Sequence, residues 1–282
     1  MPDVIRCYNN VSIHKVEALC MTLQRYSYPC RHLDMMSNFG RTIPQSSIVV
    51  THVTNFLHTR WGHLLTNLNQ NWLSPASLEN FAEAIQRRGA GIDNCWNFVD
   101  GTVRACCRPG RNQRVLYNGH KKVHAIKFQS VVTPDGMIAN MFGPVEGRRH
   151  DSAMLAMSNL LPQLQQNSID TNGNLMCIYG DPAYPVRAQL LSPFPLAHIT
   201  PAESAWNQSM SSVRVAVEWV FGDIINYFKF IDFRNNLKIG LSPIGKMYLV
   251  CALLKNARTT LYGNLTGMTF DVDSPVITDY FV

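Results

Sequence analysis

The chain has 282 residues, a length that suits one large domain or one domain with a smaller companion. With 46% hydrophobic and 16% charged residues, its composition excludes wholesale disorder, and the net charge of +6 favours polyanionic partners only mildly. No stretch reaches the roughly 18 apolar residues of a membrane span, and no two cysteines have the C-x-x-C spacing of a zinc site. We therefore expect a soluble, intracellular protein with reduced thiols.

The first part of the chain, residues 1–90, is predicted to be a small helical N-terminal region. Ser12 is expected to cap its first helix. One face of that helix would carry Ile13, Val16, Leu19, Cys20 and Leu23. Later helices are expected to end at Gly40, to begin at Pro44 and to begin after Ser74. These helices could form a helix-turn-helix-like DNA-binding unit or a plain helical cap, and the pattern alone favours the cap.

Strand patterns begin after residue 90, and residues 91–262 are interpreted as one α/β domain with a loose tail over 263–282. The first strand of this domain is predicted to end at Asp100. A hairpin follows, with strands at 124–132 and 137–142, and is expected to pair with the first strand.

A second apolar strand, at 175–179, is predicted to end at Asp181. Because α/β sheets build active-site rims from the C-terminal ends of their strands, Asp100 and Asp181 are candidate site residues. A buried carboxylate at such a position is costly unless it is hydrogen-bonded, paired or bound to a metal. For a single aspartate, capping of a turn is the more frequent explanation, but two in one sheet are less common.

The segment 211–233 carries a third candidate acid, Glu218. Alternating valines at its start are compatible with a strand, whereas the longer apolar spacing and the length of the segment favour a helix. The apolar face of that helix would hold Val213, Val217, Val220, Phe221, Ile224 and Phe228. Carboxylate oxygens are the ligands that Mg²⁺ prefers, so the three acids suit a divalent-metal site if the fold brings them together.

Four short runs follow one another in the order of a known family. They are Phe98-Val99-Asp100-Gly101-Thr102, Gly147-Arg148-Arg149-His150-Asp151-Ser152, Tyr179-Gly180-Asp181-Pro182-Ala183-Tyr184-Pro185 and Val217-Glu218-Trp219-Val220-Phe221-Gly222. Together they resemble the DDE endonuclease domain of PIF/Harbinger transposases and Harbinger-derived nucleases, over roughly residues 90–262. The resemblance implies an α/β fold with a ribonuclease-H-like mixed sheet flanked by helices.

The resemblance also assigns roles to the three acids. Asp100 would lie on the first strand, Asp181 after the fourth and Glu218 on a later helix, as a catalytic triad that binds two Mg²⁺ or Mn²⁺ ions. The implied reaction is hydrolysis of a DNA phosphodiester that leaves a free 3′ hydroxyl. The main alternative is a domesticated protein that binds DNA or a partner without cutting, and an RNA-directed ribonuclease is a less favoured one. A DNA substrate implies a nuclear location, and the family resemblance implies a Myb/SANT-like partner; a cytoplasmic pool and a homo-oligomer stay open.

Secondary candidates surround the triad. Asp151 is expected to be either a fourth metal-binding acid or the cap of a helix over 151–161. His150 could orient a carboxylate or contact phosphate, although a structural role is favoured. The predicted contacts to the DNA backbone are Arg104, Arg108, Arg111, Arg114, Lys121, Lys122, Arg148 and Arg149. For such a basic run, a solvated loop is the alternative.

Overall fold

The computed structural model describes residues 1–282. Its N-terminal region contains a short hairpin followed by four helices. These are β1 (Val4–Arg6), β2 (Ser12–His14), α1 (Lys15–Ser27), α2 (Met36–Phe39), α3 (Ile43–Trp61) and α4 (Pro75–Arg87). Gly40 ends α2 in a left-handed conformation, and Ser74 caps α4, as predicted. A capping box at Thr42 begins α3 one residue before the predicted proline.

The prediction for the first helix was wrong at its start. Ser12 and Ile13 lie in β2, where Ile13 pairs with Ile5, and the helix begins only at Lys15. Its buried residues are Ala18, Met21, Thr22 and Tyr26, whereas the predicted face includes Val16, which is 55% exposed. Pairing with the neighbouring strand β1 therefore overrides the local helical spacing.

The central sheet belongs to the second part of the chain. Its strands are β3 (Cys95–Ala105), β4 (Tyr117–Asn118), β5 (Val123–Val132), β6 (Ile138–Glu146), β7 (Cys177–Tyr179) and β8 (Leu190–Leu191). Its helices are α5 (Gln113–Leu116), α6 (Asp151–Met157), α7 (Leu160–Asn167), α8 (Pro201–Arg214), α9 (Ala216–Tyr227) and α10 (Ile244–Tyr262). The helix predicted over 151–161 is thus two helices, α6 and α7.

The sheet has the order β6-β5-β3-β7-β8, with β4 beside the start of β5. The predicted β5–β6 hairpin forms beside β3, with β5 antiparallel to both β3 and β6, while β7 runs parallel to β3 and β8 runs parallel to β7. With helices flanking this mixed sheet, the chain has the expected ribonuclease-H-like fold. The prediction that β3 ends at Asp100 was wrong, because pairing with β5 continues to Ala105.

The ambiguous segment is helical, but it is broken. α8 ends at Arg214 and α9 begins at Ala216, with Val215 between them. All six residues of the predicted apolar face, including Val213 and Ile224, are buried. Periodicity could not show the break, because the residues on both sides of it obey the same spacing.

One large core joins the sheet to α4, α10 and the C-terminal segment. That segment is not a loose tail, because it forms α11 (Leu265–Phe270) and α12 (Ile277–Tyr280), and Tyr280 is buried. A smaller cluster packs β1 and β2 against α1 and α3, and a helix-turn-helix-like role for this region stays a prediction. All eight cysteines are free thiols. None of the helices combines the length and the apolar character needed to cross a membrane.

Candidate active site

Asp100 and Asp181 lie at the point where two adjacent parallel strands separate. The pairing of β3 with β7 ends at Phe98 and Tyr179, and each aspartate follows its strand's last paired residue by two positions. The chain leaves β3 for β5 on one side and later returns to β7 on the other. This is a topological switch point, the place where open α/β sheets bind ligands.

The Asp100 carboxylate is held on both oxygens. Arg214, the last residue of α8, places Nη1 2.8 Å from Oδ2, and the backbone N–H of Gly101 donates to Oδ1 at 2.7 Å. The pKa of Asp100 is raised to about 6, chiefly by burial and in part by the negative charge of Asp181. The guanidinium of Arg214 and the N–H of Gly101 act in the opposite direction. Asp100 is thus a partly desolvated acid in a shared electrostatic environment.

Asp151 joins this group from the first turn of α6. His150 occupies the cap position of α6 and makes no capping bond through its side chain. The carboxylate of Asp151 instead pairs with Lys127 at 2.6 Å, so helix capping does not account for it. Lys127 also donates to the backbone oxygen of Arg149 at 2.9 Å, which ties β5 to the turn before the helix.

Asp181 and Tyr184 complete the cluster. Burial raises the pKa of Asp181, and the charge of Asp151 raises it further. The one hydrogen bond of the Asp181 side chain comes from the N–H of Ala183 at 3.0 Å. The hydroxyl of Tyr184 is buried without a hydrogen-bond partner. Burial raises its pKa, and the negative charges of Asp151, Asp100 and Asp181 act in the same direction.

Two glycines make room for this arrangement. A Cβ at Gly101 would stand 2.7 Å from Oδ1 of Asp151, and one at Gly180 would stand 2.8 Å from the ring of Tyr184. Each glycine is the immediate neighbour of a site aspartate, Asp100 or Asp181. The absence of a side chain therefore lets a second site residue pack against each strand.

The third acid of the predicted triad makes no hydrogen bond or ion pair with this cluster. Glu218 is exposed in the first turn of α9, one helical turn after Arg214. Asp181 raises the pKa of Asp100, and Asp151 raises that of Asp181, so these three aspartates are electrostatically linked. His150 is likewise exposed, and its side chain has no hydrogen-bond partner.

The donor set suits a hard divalent cation, because the aspartate carboxylates and the free Tyr184 hydroxyl offer oxygen atoms. No three His, Cys, Asp or Glu side chains are already arranged around one ion position. Two of the aspartates are instead bonded to cationic side chains, Arg214 and Lys127. The site therefore fits a metal in its chemistry and requires side-chain movement to bind one.

The basic residues predicted to contact DNA fall into two groups. Arg104 stacks over Tyr248, and Arg149 pairs with Glu146, so both are engaged within the fold. The exposed members are Arg108, Arg111, Arg114, Lys121, Lys122 and Arg148. Asn118 connects their loop to the turn before α6 by donating to the oxygen of Gly147 at 2.7 Å. The loop that carries most of the exposed cations is therefore hydrogen-bonded to the segment that leads into Asp151.

Three features of the site were not predicted from the sequence: the roles of Lys127 and Tyr184, and the bond between Arg214 and Asp100. Lys127 was detectable as a lysine within an otherwise largely apolar strand, since such a cation needs a partner when it is buried. Tyr184 lay within one of the four family runs but carried no separate signal. The partner of Arg214 depends on how α8 packs on the sheet, which periodicity does not determine.

Comparison with known proteins gives one match. A family model described as DDE superfamily endonuclease matches residues 99–256, which include all four candidate acids. No curated protein and no solved structure matches the chain.

Proposed function

Because the chain belongs to the DDE superfamily endonuclease family, we propose that it is a DNA endonuclease of the Harbinger type that depends on divalent metal ions. Members of this family generally use such ions. The proposal includes Mg²⁺ or Mn²⁺ as the metal, two ions per site and phosphodiester hydrolysis as the reaction. It also includes action in the nucleus with a Myb/SANT-like partner, as the Harbinger resemblance implies.

One observation carries the proposal. Asp100 and Asp181 each follow the last paired residue of β3 and β7, Asp151 packs against Gly101 next to Asp100, and all three aspartates lie inside the matched region. A set of desolvated acids in a cleft is costly to fold and is therefore typical of a functional site. Structural ion pairs also perturb acids, but they do not require a third carboxylate without a cationic partner.

The residues of the chain have distinct roles in this proposal. Asp100 and Asp181 would hold the metal ions, with Asp151 or Glu218 as the third acid. When bound, the ions supply a nucleophilic water at neutral pH and stabilise charge on the leaving oxygen. The exposed cations near Gly147 would hold the DNA backbone beside the acids without reading its sequence. Tyr184 would donate its free hydroxyl to an oxygen in the cleft.

The surroundings of Asp151 and Glu218 in the metal-free chain favour Asp151 as the third metal-binding acid. Asp151 is close enough to Asp181 to raise its pKa, whereas Glu218 is exposed and unpaired. Glu218 is the assignment that the Harbinger resemblance implies. The two assignments predict different behaviour of single variants, so one assay distinguishes them.

The test is nicking of supercoiled plasmid in Mg²⁺ or Mn²⁺ by the wild type and by Asp100→Asn, Asp181→Asn, Asp151→Asn and Glu218→Gln. Loss of a metal-binding acid is expected to lower the rate by a factor of about 1,000 or more, equivalent to roughly 4 kcal/mol in the barrier. Asp93→Asn is the matched control, since Asp93 is exposed and outside the matched region. It should cut at the wild-type rate.

Each outcome assigns a role. Loss of cutting in Asp151→Asn with Glu218→Gln still active identifies Asp151 as the third acid, and the reverse identifies Glu218. Cutting that survives both Asp100→Asn and Asp181→Asn contradicts the proposed site. Absence of cutting by any preparation, with or without a Myb-like partner, favours a protein that binds DNA and no longer cleaves it.

A further inference from the structure

The guanidinium of Arg214 makes a single hydrogen bond within the protein. Of the five N–H groups of its guanidinium, one makes a hydrogen bond, to Oδ2 of Asp100 at 2.8 Å. The Arg214 side chain is 20% exposed and that of Asp100 is 16% exposed, so the pair is mostly removed from water. The bond is charge-assisted, but its geometry is monodentate, and it lacks the second contact that strengthens an arginine fork.

The charges of the cluster do not balance without a further cation. Arg214 neutralises Asp100, and Lys127 neutralises Asp151, whereas Asp181 has no cationic partner. Three aspartates and two cationic partners leave one carboxylate without a cation in a mostly buried site. Carboxylates placed this close together repel one another when charged. A divalent ion would relieve this repulsion more strongly than either side chain does.

A metal ion and Arg214 require the same carboxylate. Oδ1 of Asp100 accepts the N–H of Gly101 and Oδ2 accepts Arg214, so each oxygen keeps one free lone-pair site, and that of Oδ2 lies beside the guanidinium. A cation that binds between Asp100 and Asp181 meets the guanidinium at Oδ2, and two positive groups repel each other there. The two occupants of this carboxylate are therefore competitors.

We propose that Arg214 is the resident counter-ion of Asp100 in the metal-free chain and that a divalent ion displaces it on binding. This inference rests on the metal site of the proposed function. It assigns Arg214 a role as a positioning residue, which holds the Asp100 carboxylate in one orientation until the metal arrives. Because binding and displacement are linked, weakening the Arg214 bond strengthens metal binding by the same factor.

The first experiment measures the displacement directly on the wild-type chain. Phenylglyoxal modifies accessible arginines, and mass spectrometry quantifies the adduct at each site. Saturating Mn²⁺ without DNA is expected to raise the labelling rate of Arg214 about fivefold or more. Arg41 provides the internal control, because its ion pair with Glu17 lies outside the site and should label equally with and without the metal.

The second experiment is calorimetric titration with Mn²⁺ of the wild type, Arg214→Gln and Arg41→Gln. Arg214→Gln is expected to bind Mn²⁺ about tenfold more tightly and to melt at a lower temperature in EDTA, since Asp100 then lacks its partner. Arg41→Gln loses one ion pair and one positive charge, yet should keep the wild-type affinity. Should Arg214→Gln fail to fold, Arg214→Lys retains the charge and should show a smaller gain, about two- to threefold.

The outcomes separate this inference from the proposed function. Mn²⁺ binding by the wild type with unchanged labelling of Arg214, or with no gain in affinity for either Arg214 variant, overturns the displacement and leaves the endonuclease proposal intact. Absence of Mn²⁺ binding in the wild type and in the Arg214 variants overturns the metal site itself, and the displacement with it. Faster labelling together with the tighter affinity supports the displacement even if no plasmid is nicked.

Discussion

The carboxylate of Asp151 occupies the space that a side chain at Gly101 would take, with Oδ1 2.7 Å from the position of a Cβ. Asp151 belongs to α6, whereas Gly101 follows Asp100 on β3. The contact therefore connects a helix to the strand that carries the first candidate acid. Its consequence is that a single methyl group can separate two of the three clustered aspartates.

Gly101→Ala should displace Asp151 and lower nicking at least tenfold. Crowding at a packed contact of this kind costs about 1–3 kcal/mol in the free energy of unfolding, which a denaturant titration measures. Gly222→Ala is the matched control, because no atom lies within 4 Å of its Cβ and alanine is favoured within α9. Wild-type nicking by Gly101→Ala would show that the position of Asp151 does not matter for cleavage.

Lys127→Met should destabilise the metal-free chain by about 2–4 kcal/mol, because it leaves the mostly buried Asp151 carboxylate without its cation. Adding Asp151→Asn should recover part of that loss, which a double-mutant cycle in EDTA would detect. Lys229→Met removes an exposed pair with Asp232 and should change stability by less than about 1 kcal/mol. Strictly additive effects of Lys127→Met and Asp151→Asn would contradict the coupling.

The buried side chain of Asp135 should make the stability of the protein depend on pH, independently of the candidate active site. It is buried in the turn of the β5–β6 hairpin, and Oδ2 has no hydrogen-bond partner. Burial raises its pKa from 3.8 to about 6, against the hydrogen bonds of Thr133 and Met137 and the charge of Lys255. The folded chain holds this proton more tightly than the unfolded chain does. The resulting contribution to the free energy of unfolding is fully present below about pH 4 and is lost as the pH rises through about 6.

Asp135→Asn removes this titration. The stability of the wild type relative to Asp135→Asn should therefore fall between about pH 4 and pH 6, by up to about 1.4 kcal/mol per pH unit. Urea denaturation at several pH values measures the difference, and Asp93→Asn should follow the wild-type profile. A constant difference between the wild type and Asp135→Asn across this window would mean that Asp135 is ionised throughout.

Lys121 and Lys122 test the proposed DNA surface, since both are exposed and neither forms an ion pair. Replacing both with glutamine should weaken DNA binding at low salt. If each contacts one phosphate, the slope of log K against log salt should become about 1.8 units shallower. Fluorescence anisotropy with a labelled duplex measures it. Arg87→Gln with Arg88→Gln removes the same charge from an exposed helix end and should leave the slope unchanged.

The sequence predicted the elements that local patterns control. The β5–β6 hairpin, the caps at Gly40 and Ser74, and the apolar face of α8 and α9 all follow from spacing and from turn residues. The start of α1 was mispredicted because Ile13 pairs with Ile5, a contact that helical spacing cannot reveal.

In the candidate site, too, the features set by local sequence were predictable and those set by tertiary packing were not. Asp100 and Asp181 were recognisable because each follows an apolar run, and the family resemblance placed them together. The pair of Asp151 with Lys127 depends on the packing of α6 against β5, and no local pattern encodes that distance. The exposure of Glu218 depends on which face of α9 packs on the core, and the short interruption at Val215 is not visible in the apolar spacing.

The separation of β3 and β7 after Phe98 and Tyr179 also sets the dimensions of the cleft. Paired strands lie roughly 4.8 Å apart, and Asp100 and Asp181 each follow the last β3–β7 pair by two positions. The backbone hydrogen bonds between these strands therefore fix the spacing of the two aspartates, whatever the length of chain between them. Insertions between Asp100 and Asp181 that leave the strand pairing intact should preserve this spacing, so the intervening loops are free to change in length and sequence.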